Sequence, residues 1–285
     1  MKNLLQSAVT AIAIICSAST GAQTKAPKLE NSLLWEISGN GLSKPSYVYG
    51  TIHGICPSDY FMAEKTKIAF QKSDKLILEI NLSDPNEMAE AQKRNISSEP
   101  LSKKLAPAQL SKLDSILQKN TGFKVKQLDG FTLAAVMGFI SVKTFDCETL
   151  KSYESDFIDL AKKENKTIAG FETVQKQTDM LANAYTDAEL METVGDFSKA
   201  ETREMVEDYK AENLMNLNAA NEKAMNANVI KLILDDRNKD WAKRMPEMMK
   251  KESLFVAVGV GHLPGKDGVI NLLRKAGYKV KPVTK

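Results

Sequence analysis

Histidine is almost missing from this chain: two occur in 285 residues, His53 and His262. Any chemistry that needs an imidazole must therefore gather at one or both of them. No H-E-x-x-H motif of a zinc protease is present, and no G-x-S-x-G elbow of a serine hydrolase. An excess of one charge is lacking as well. Thirty-nine basic residues stand against 36 acidic ones, a net charge of +3, and neither sign forms a long block. The electrostatic footprint of a nucleic-acid or membrane-surface binder is thus absent. Beyond the first stretch no apolar run has the length that spans a bilayer, and neither a solenoid-length repeat nor a low-complexity segment occurs.

What is there is ordinary globular material, 43% hydrophobic and 26% charged, enough for a sizeable core. The opening segment, MKNLLQSAVTAIAIICSASTGA, is different. One lysine, an apolar stretch and then small residues are the layout of a cleaved secretory signal over residues 1–22, so a single mature domain is expected over 23–285. Cys16 suits lipid attachment poorly, because Ile15 stands where a lipoprotein signal wants a small residue. The expectation is export, to the periplasm or the extracellular space. Cys56 and Cys147 then remain as an even pair in a compartment that permits a disulfide. Cys56 lies three residues after His53, but a reactive thiol fares poorly under oxidising conditions, which weighs against a metal ligand there.

Residues 32–53 read as two strands joined by a turn rich in Gly, Asn and Pro. A helix around 61–74 and the strand KLILEINL follow. From about 85 to 165 the pattern is helical, which predicts a large insertion. A strand returns at KTIAGFET, and a second helical region covers about 174–250. The chain closes with a strand, a glycine-rich turn, a helix ended by Gly277 and a last strand. The fold class is α/β: a central mixed sheet built from strands at both ends of the chain, with helices between.

In open α/β sheets ligands gather beyond the carboxyl ends of the strands. His53, Glu79, Glu172 and His262 all fall at such ends. Alternation puts Glu79 on the face of Ile77, opposite Leu76, Leu78 and Ile80, so a carboxylate follows an apolar residue inward and requires a partner. Each histidine has a glycine three places before it, Gly50 and Gly259, where a missing Cβ lets backbone turn sharply or approach closely. Ile233, Arg237 and Trp241 fall at i, i+4 and i+8, which puts a guanidinium on the buried stripe of a helix, facing either a structural salt bridge or the active site. Gly259, Gly261 and Gly265 have the wrong spacing and place in the chain for a dinucleotide fingerprint.

Two imidazoles with one or two carboxylates are what a divalent transition metal takes from a protein while leaving a position for water. Without a metal, His53 would serve as general base on water, oriented by Glu79. A structural reading keeps both histidines as residues of turns.

YVYGTIHG with Gly50 and His53, LILEI with Glu79, GFET with Glu172 followed by Gln175 or Gln177, DDRNKDWA with Arg237, Asn238 and Trp241, and VAVGVGHLPG with Gly259 and His262 together resemble the TraB/GumN family, which includes the animal Tiki proteins. The resemblance implies a fold related to erythromycin esterase and to the haem-binding ChaN proteins. It implies His53, Glu79 and His262 as catalytic groups and metal ligands, with Gly50, Glu172, Arg237, Asn238 and Gly259 supporting them. Tiki proteins are metal-dependent proteases that favour manganese or cobalt over zinc. The expectation is accordingly a metallopeptidase using Mn, Co, Fe or Zn on a peptide or protein substrate. The alternative is a non-enzymatic binder holding a haem-like or peptide ligand in the same pocket.

Overall fold

The computed structural model describes residues 29–195 and 198–284; the expected secretory signal over 1–22 and Cys16 lie outside them. Six strands form one mixed sheet: β1 (Leu34–Ser38), β2 (Ser46–Thr51), β3 (Lys75–Ile80), β4 (Thr167–Glu172), β5 (Leu254–Gly259) and β6 (Lys279–Pro282). Their order across the sheet is β4-β3-β5-β2-β1-β6. The four strands β4, β3, β5 and β2 are parallel, while β1 runs antiparallel to both β2 and β6. A central parallel strand is covered on both faces and reads as a continuous apolar run. β5, with the sequence LFVAVG, is buried at all six positions. The β1–β2 turn needs three successive left-handed residues, Gly39, Asn40 and Gly41 at φ 78°, 47° and 82°, which is why glycine and asparagine supply it.

An aromatic cluster seats the helices on the sheet. Helix α1 (Glu64–Lys72) brings Phe70 and helix α2 (Tyr153–Lys163) brings Phe157. Their rings meet Phe255 of β5 at centroid distances of 5.2 and 4.8 Å. Each such pair adds roughly 0.5–1.5 kcal/mol beyond the area it buries.

The insertion between β3 and β4 carries a second, smaller core of Leu101, Leu113, Leu117, Val136, Met137 and Ile140, completed by Met191 from the helix Asp187–Gly195. Helices fill the expected span of about 85–165 between β3 and β4, but they do not all join this second core. α2 belongs to the core of the sheet, with Tyr153, Phe157 and Ala161 buried there. The physical reason is the crossover: a parallel β3–β4 pair requires the chain to return along the sheet, and α2 is that return. The helical region after β4 starts with α3 (Val174–Ala184) and ends with a π-helical turn, Lys231–Asp235, leading into α4 (Asp236–Met249).

Candidate active site

The register of the parallel strands brings the carboxyl ends of four of them to one edge. Thr51 of β2 lies beside Gly259 of β5, and Ile80 of β3 beside Glu172 of β4. His53 follows β2 by two residues, Glu79 is the penultimate residue of β3, and His262 sits in the single 3-10 turn Val260–His262 after β5.

The two glycines before the histidines each solve a problem of close approach. A Cβ on Gly50 would stand 2.9 Å from both Leu263 Cδ1 and Val260 Cγ2, so only glycine lets the turn that carries His262 pack on β2. A Cβ on Gly259 would stand 3.2 Å from both Glu79 Oε1 and His53 Nε2. The Gly259 amide itself donates to Glu79 Oε1 at 2.7 Å. Gly259 is therefore the floor on which the carboxylate and the first histidine meet.

Arg237 occupies the middle of the cluster. Its Nε donates to Glu172 Oε2 at 2.9 Å, its Nη2 to Glu79 Oε2, and its Nη1 to His262 Nε2 and to the carbonyl of Ile233, both at 3.0 Å. Gln177 of α3 spans the same carboxylates, donating to Glu79 Oε2 at 3.1 Å and Glu172 Oε2 at 3.0 Å. Lys176 adds a charge at the rim, 3.3 Å from Glu172 Oε1. The Ile233 carbonyl lies in the π-helical turn, where an extra residue per turn perturbs the ordinary hydrogen-bond ladder.

The geometry fixes the tautomer of His262. A guanidinium has only protons to offer, so Nε2 must accept with its lone pair and Nδ1 must carry the hydrogen. That Nδ1–H then donates to Asn238 Oδ1 at 2.7 Å. Trp241 closes over the ring at a centroid distance of 4.5 Å. Burial, helped by Arg237 and His53 against the attraction of Glu79, lowers His262 to about 3, so it is neutral at physiological pH. Burial pushes the Glu79 carboxyl upward, but the cationic neighbourhood and the Gly259 amide overcome it and hold it well below the usual range. Because the His262 lone pair faces Arg237, the cations beside Glu79 are Arg237 and His53.

His53 is built differently. Solvent reaches 69% of its side chain. Its Nδ1 lies 2.9 Å from Glu154 Oε1. Enclosure by the protein opposes its charge, but the Glu154 hydrogen bond and charge, with Glu79 behind, raise His53 to about 9. Glu154 is in turn held by Thr51 Oγ1 at 2.6 Å and Ser152 Oγ at 2.9 Å. Sequence reasoning did not single out Glu154. Its signal, an acidic residue in the first turn after the N-cap Ser152, is shared by many helices.

Cys56 and Cys147 are joined in a disulfide with their Cα atoms 6.0 Å apart, so neither is free as a metal ligand. Among the described residues no group of three His, Cys, Asp or Glu side chains stands in metal-holding geometry. The donor types nevertheless fit a divalent cation. Both imidazoles have Nδ1 engaged by an oxygen, the outer-shell arrangement that frees Nε2 for a metal. His262 Nε2 lies 3.6 Å from Glu79 Oε1, and His53 Nε2 lies beside Gly259, the residue whose amide holds that oxygen. The obstacle is Arg237, which holds the lone pair that His262 would offer.

A region of "Metalloprotease TIKI1" from Danio rerio is 38% identical over 69 residues, 24% of this chain and 13% of that protein. The chain thus spans only a small part of that relative's length. No solved structure gives a significant match. The model of the TraB/PrgY/gumN family matches residues 33–282, a span that contains all six strands and every residue of the site. The chain belongs to the TraB/PrgY/gumN family.

Proposed function

We propose that the protein is an exported, metal-dependent hydrolase that cleaves peptides or proteins. The observation that carries the reading is the gathering of the three side chains at one sheet edge, with His262 Nε2 3.6 Å from Glu79 Oε1, His53 Nε2 on the other side of Gly259, and each ring with Nδ1 engaged by an oxygen. Family membership and the partial likeness to a metalloprotease support it. Export is supported by the leader and by the disulfide, which suits an oxidising compartment. No described helix is long and apolar enough to cross a membrane.

His53, Glu79 and His262 would hold the metal, with Mn, Co, Fe or Zn as candidates. Bound there, it would lower the pKa of a water and polarise the scissile carbonyl. The chain's own residues do the rest. Arg237 neutralises Glu79 and Glu172 and keeps Glu79 ionised. Asn238 fixes the His262 tautomer, and Trp241 keeps water from its buried side. His53, open to solvent, is the group a substrate meets.

A second reading follows from Arg237 holding the His262 lone pair. In it no metal is needed, and His53 moves protons to and from an attacking water and a leaving amine, with Glu79 orienting its Nε2. Elemental analysis of the purified protein, with peptide-library cleavage by wild type, His53→Ala and His262→Ala, separates the two. One equivalent of metal, lost in both variants together with cleavage, supports the first reading. Metal-free cleavage lost in His53→Ala supports the second. Cleavage that survives both substitutions rejects hydrolysis at this site.

A further inference from the structure

We propose that Glu154 is a positioning residue that fixes the orientation and tautomer of His53, and that the Cys56–Cys147 disulfide clamps the two loops that make this pairing. The proposal rests on His53 being a working group of the site. His53 and Glu154 are 101 residues apart in sequence and come from different layers, one after β2 and the other at the start of α2. Three ties hold these segments together. The backbones of Ile55 and Lys151 exchange hydrogen bonds, at 3.0 Å from Ile55 N and 2.8 Å from Lys151 N. Thr51 Oγ1 donates to the same Glu154 oxygen that His53 uses. The disulfide joins Cys56, three residues after His53, to Cys147, seven residues before Glu154.

The need for a clamp follows from exposure. His262 is packed between Trp241, Asn238 and Arg237, so its ring is fixed without help. His53 is open to solvent over most of its surface and has one hydrogen-bonding partner, Glu154. A carboxylate at Nδ1 selects the Nδ1–H form of the neutral ring and leaves the lone pair at Nε2, aimed at Gly259 and Glu79. Glu154 carries out that selection only while Thr51 and Ser152 hold its own oxygens and the loops stay in register. Breaking the disulfide requires two electrons and two protons from a reductant, such as a dithiol that closes to its cyclic disulfide, and leaves two thiols. Of the three ties, the segments then keep the Ile55–Lys151 pairing and the Thr51–Glu154 hydrogen bond.

The chain's two histidines make the test direct. Protein labelled with 15N-histidine, kept in a chelator and followed through a pH series up to where both ring signals stop moving and the rings are neutral, gives two rings to follow. In the wild type His53 reads as one Nδ1–H tautomer. In Glu154→Ala it goes over to the Nε2–H-dominated mixture of a free imidazole. The Cys56→Ala/Cys147→Ala protein and the dithiol-reduced wild type move the same way, while His262 stays put as the internal control. A His53 tautomer unchanged in Glu154→Ala overturns the proposal, and one unchanged without the disulfide overturns the clamp. Where Glu154→Ala disturbs both rings, Glu154→Gln decides. It keeps the length and an acceptor oxygen, so it should restore the Nδ1–H form, and failure to do so with His262 intact refutes the assignment. The ring is read without any substrate, so the outcome is independent of whether the protein proves to be a hydrolase.

Discussion

Arg237 donates to the lone pair of His262 across 3.0 Å, and the same guanidinium holds both carboxylates of the site, the buried Glu172 and the largely covered Glu79. One side chain therefore sets the ionisation of Glu79, the tautomer of His262 and the separation of Glu79 from Glu172. Any cation entering between Glu79 and His262 competes with that guanidinium for the same two groups.

The first prediction concerns the cost of losing it. Arg237→Leu leaves two carboxylates buried with only Gln177 between them and Lys176 at the rim. Removing one partner of a buried pair costs about 3–5 kcal/mol. The urea midpoint of Arg237→Leu should fall accordingly. Arg237→Lys keeps the charge but loses the planar fork, so its loss should be intermediate. A midpoint equal to the wild type in the leucine variant would show that the network carries no such strain.

A second prediction is acid sensitivity from His262. Its folded pKa of about 3 lies below the roughly 6.5 of an unfolded histidine. The unfolded chain therefore takes up a proton that the folded protein refuses, and stability is lost as pH falls from about 6.5 towards 3. Glu79, also depressed, acts in the same direction at lower pH, with loss starting below the ordinary carboxylate pKa. Urea midpoints for wild type and His262→Phe at several values in this window isolate the histidine. The wild type should lose on the order of a few kcal/mol more than the variant. Parallel curves would mean that His262 titrates normally.

The disulfide gives a third expectation. It closes a sequence separation of 91 residues, and removing such a link costs roughly 2–5 kcal/mol, largely by freeing the unfolded chain. Reduced and oxidised protein should differ by that much in urea. If they do not, the bridge serves local register near His53 and little else.

The site's outline was readable in the sequence because it depends on short-range rules. Alternation in KLILEI fixed the facing of Glu79, and strand ends placed His53, Glu172 and His262 at one edge. Helical spacing put Arg237 on the buried stripe with Trp241. Which acceptors Arg237 would meet was not readable, since Glu79 and Glu172 arrive from strands 158 and 65 residues away. Glu154 was hidden for the same reason: nothing near it in sequence points to His53. The helix α2 was likewise assigned to the insertion because amphipathicity shows that a face is buried without showing which layer covers it.

A last prediction tests the floor of the site. Gly259→Ala keeps the amide that donates to Glu79 but puts a methyl 3.2 Å from both Glu79 Oε1 and His53 Nε2. Glu79 is pinned by Arg237, Gln177 and the Gly259 amide, whereas His53 is open to solvent, so the histidine should be the one that yields. Its ring would be pushed away from Glu79 by a few tenths of an ångström or turned out towards solvent. Gly259 has no positive φ, so the substitution carries no backbone strain of that kind. Overpacking of this sort costs about 1–3 kcal/mol. The protein should fold with a modest loss in urea while cleavage or metal uptake, whichever the site performs, falls by an order of magnitude or more, since misplacing a reacting group by about 1 Å costs roughly 100-fold. Full function in Gly259→Ala would mean that His53 and Glu79 do not work as a pair.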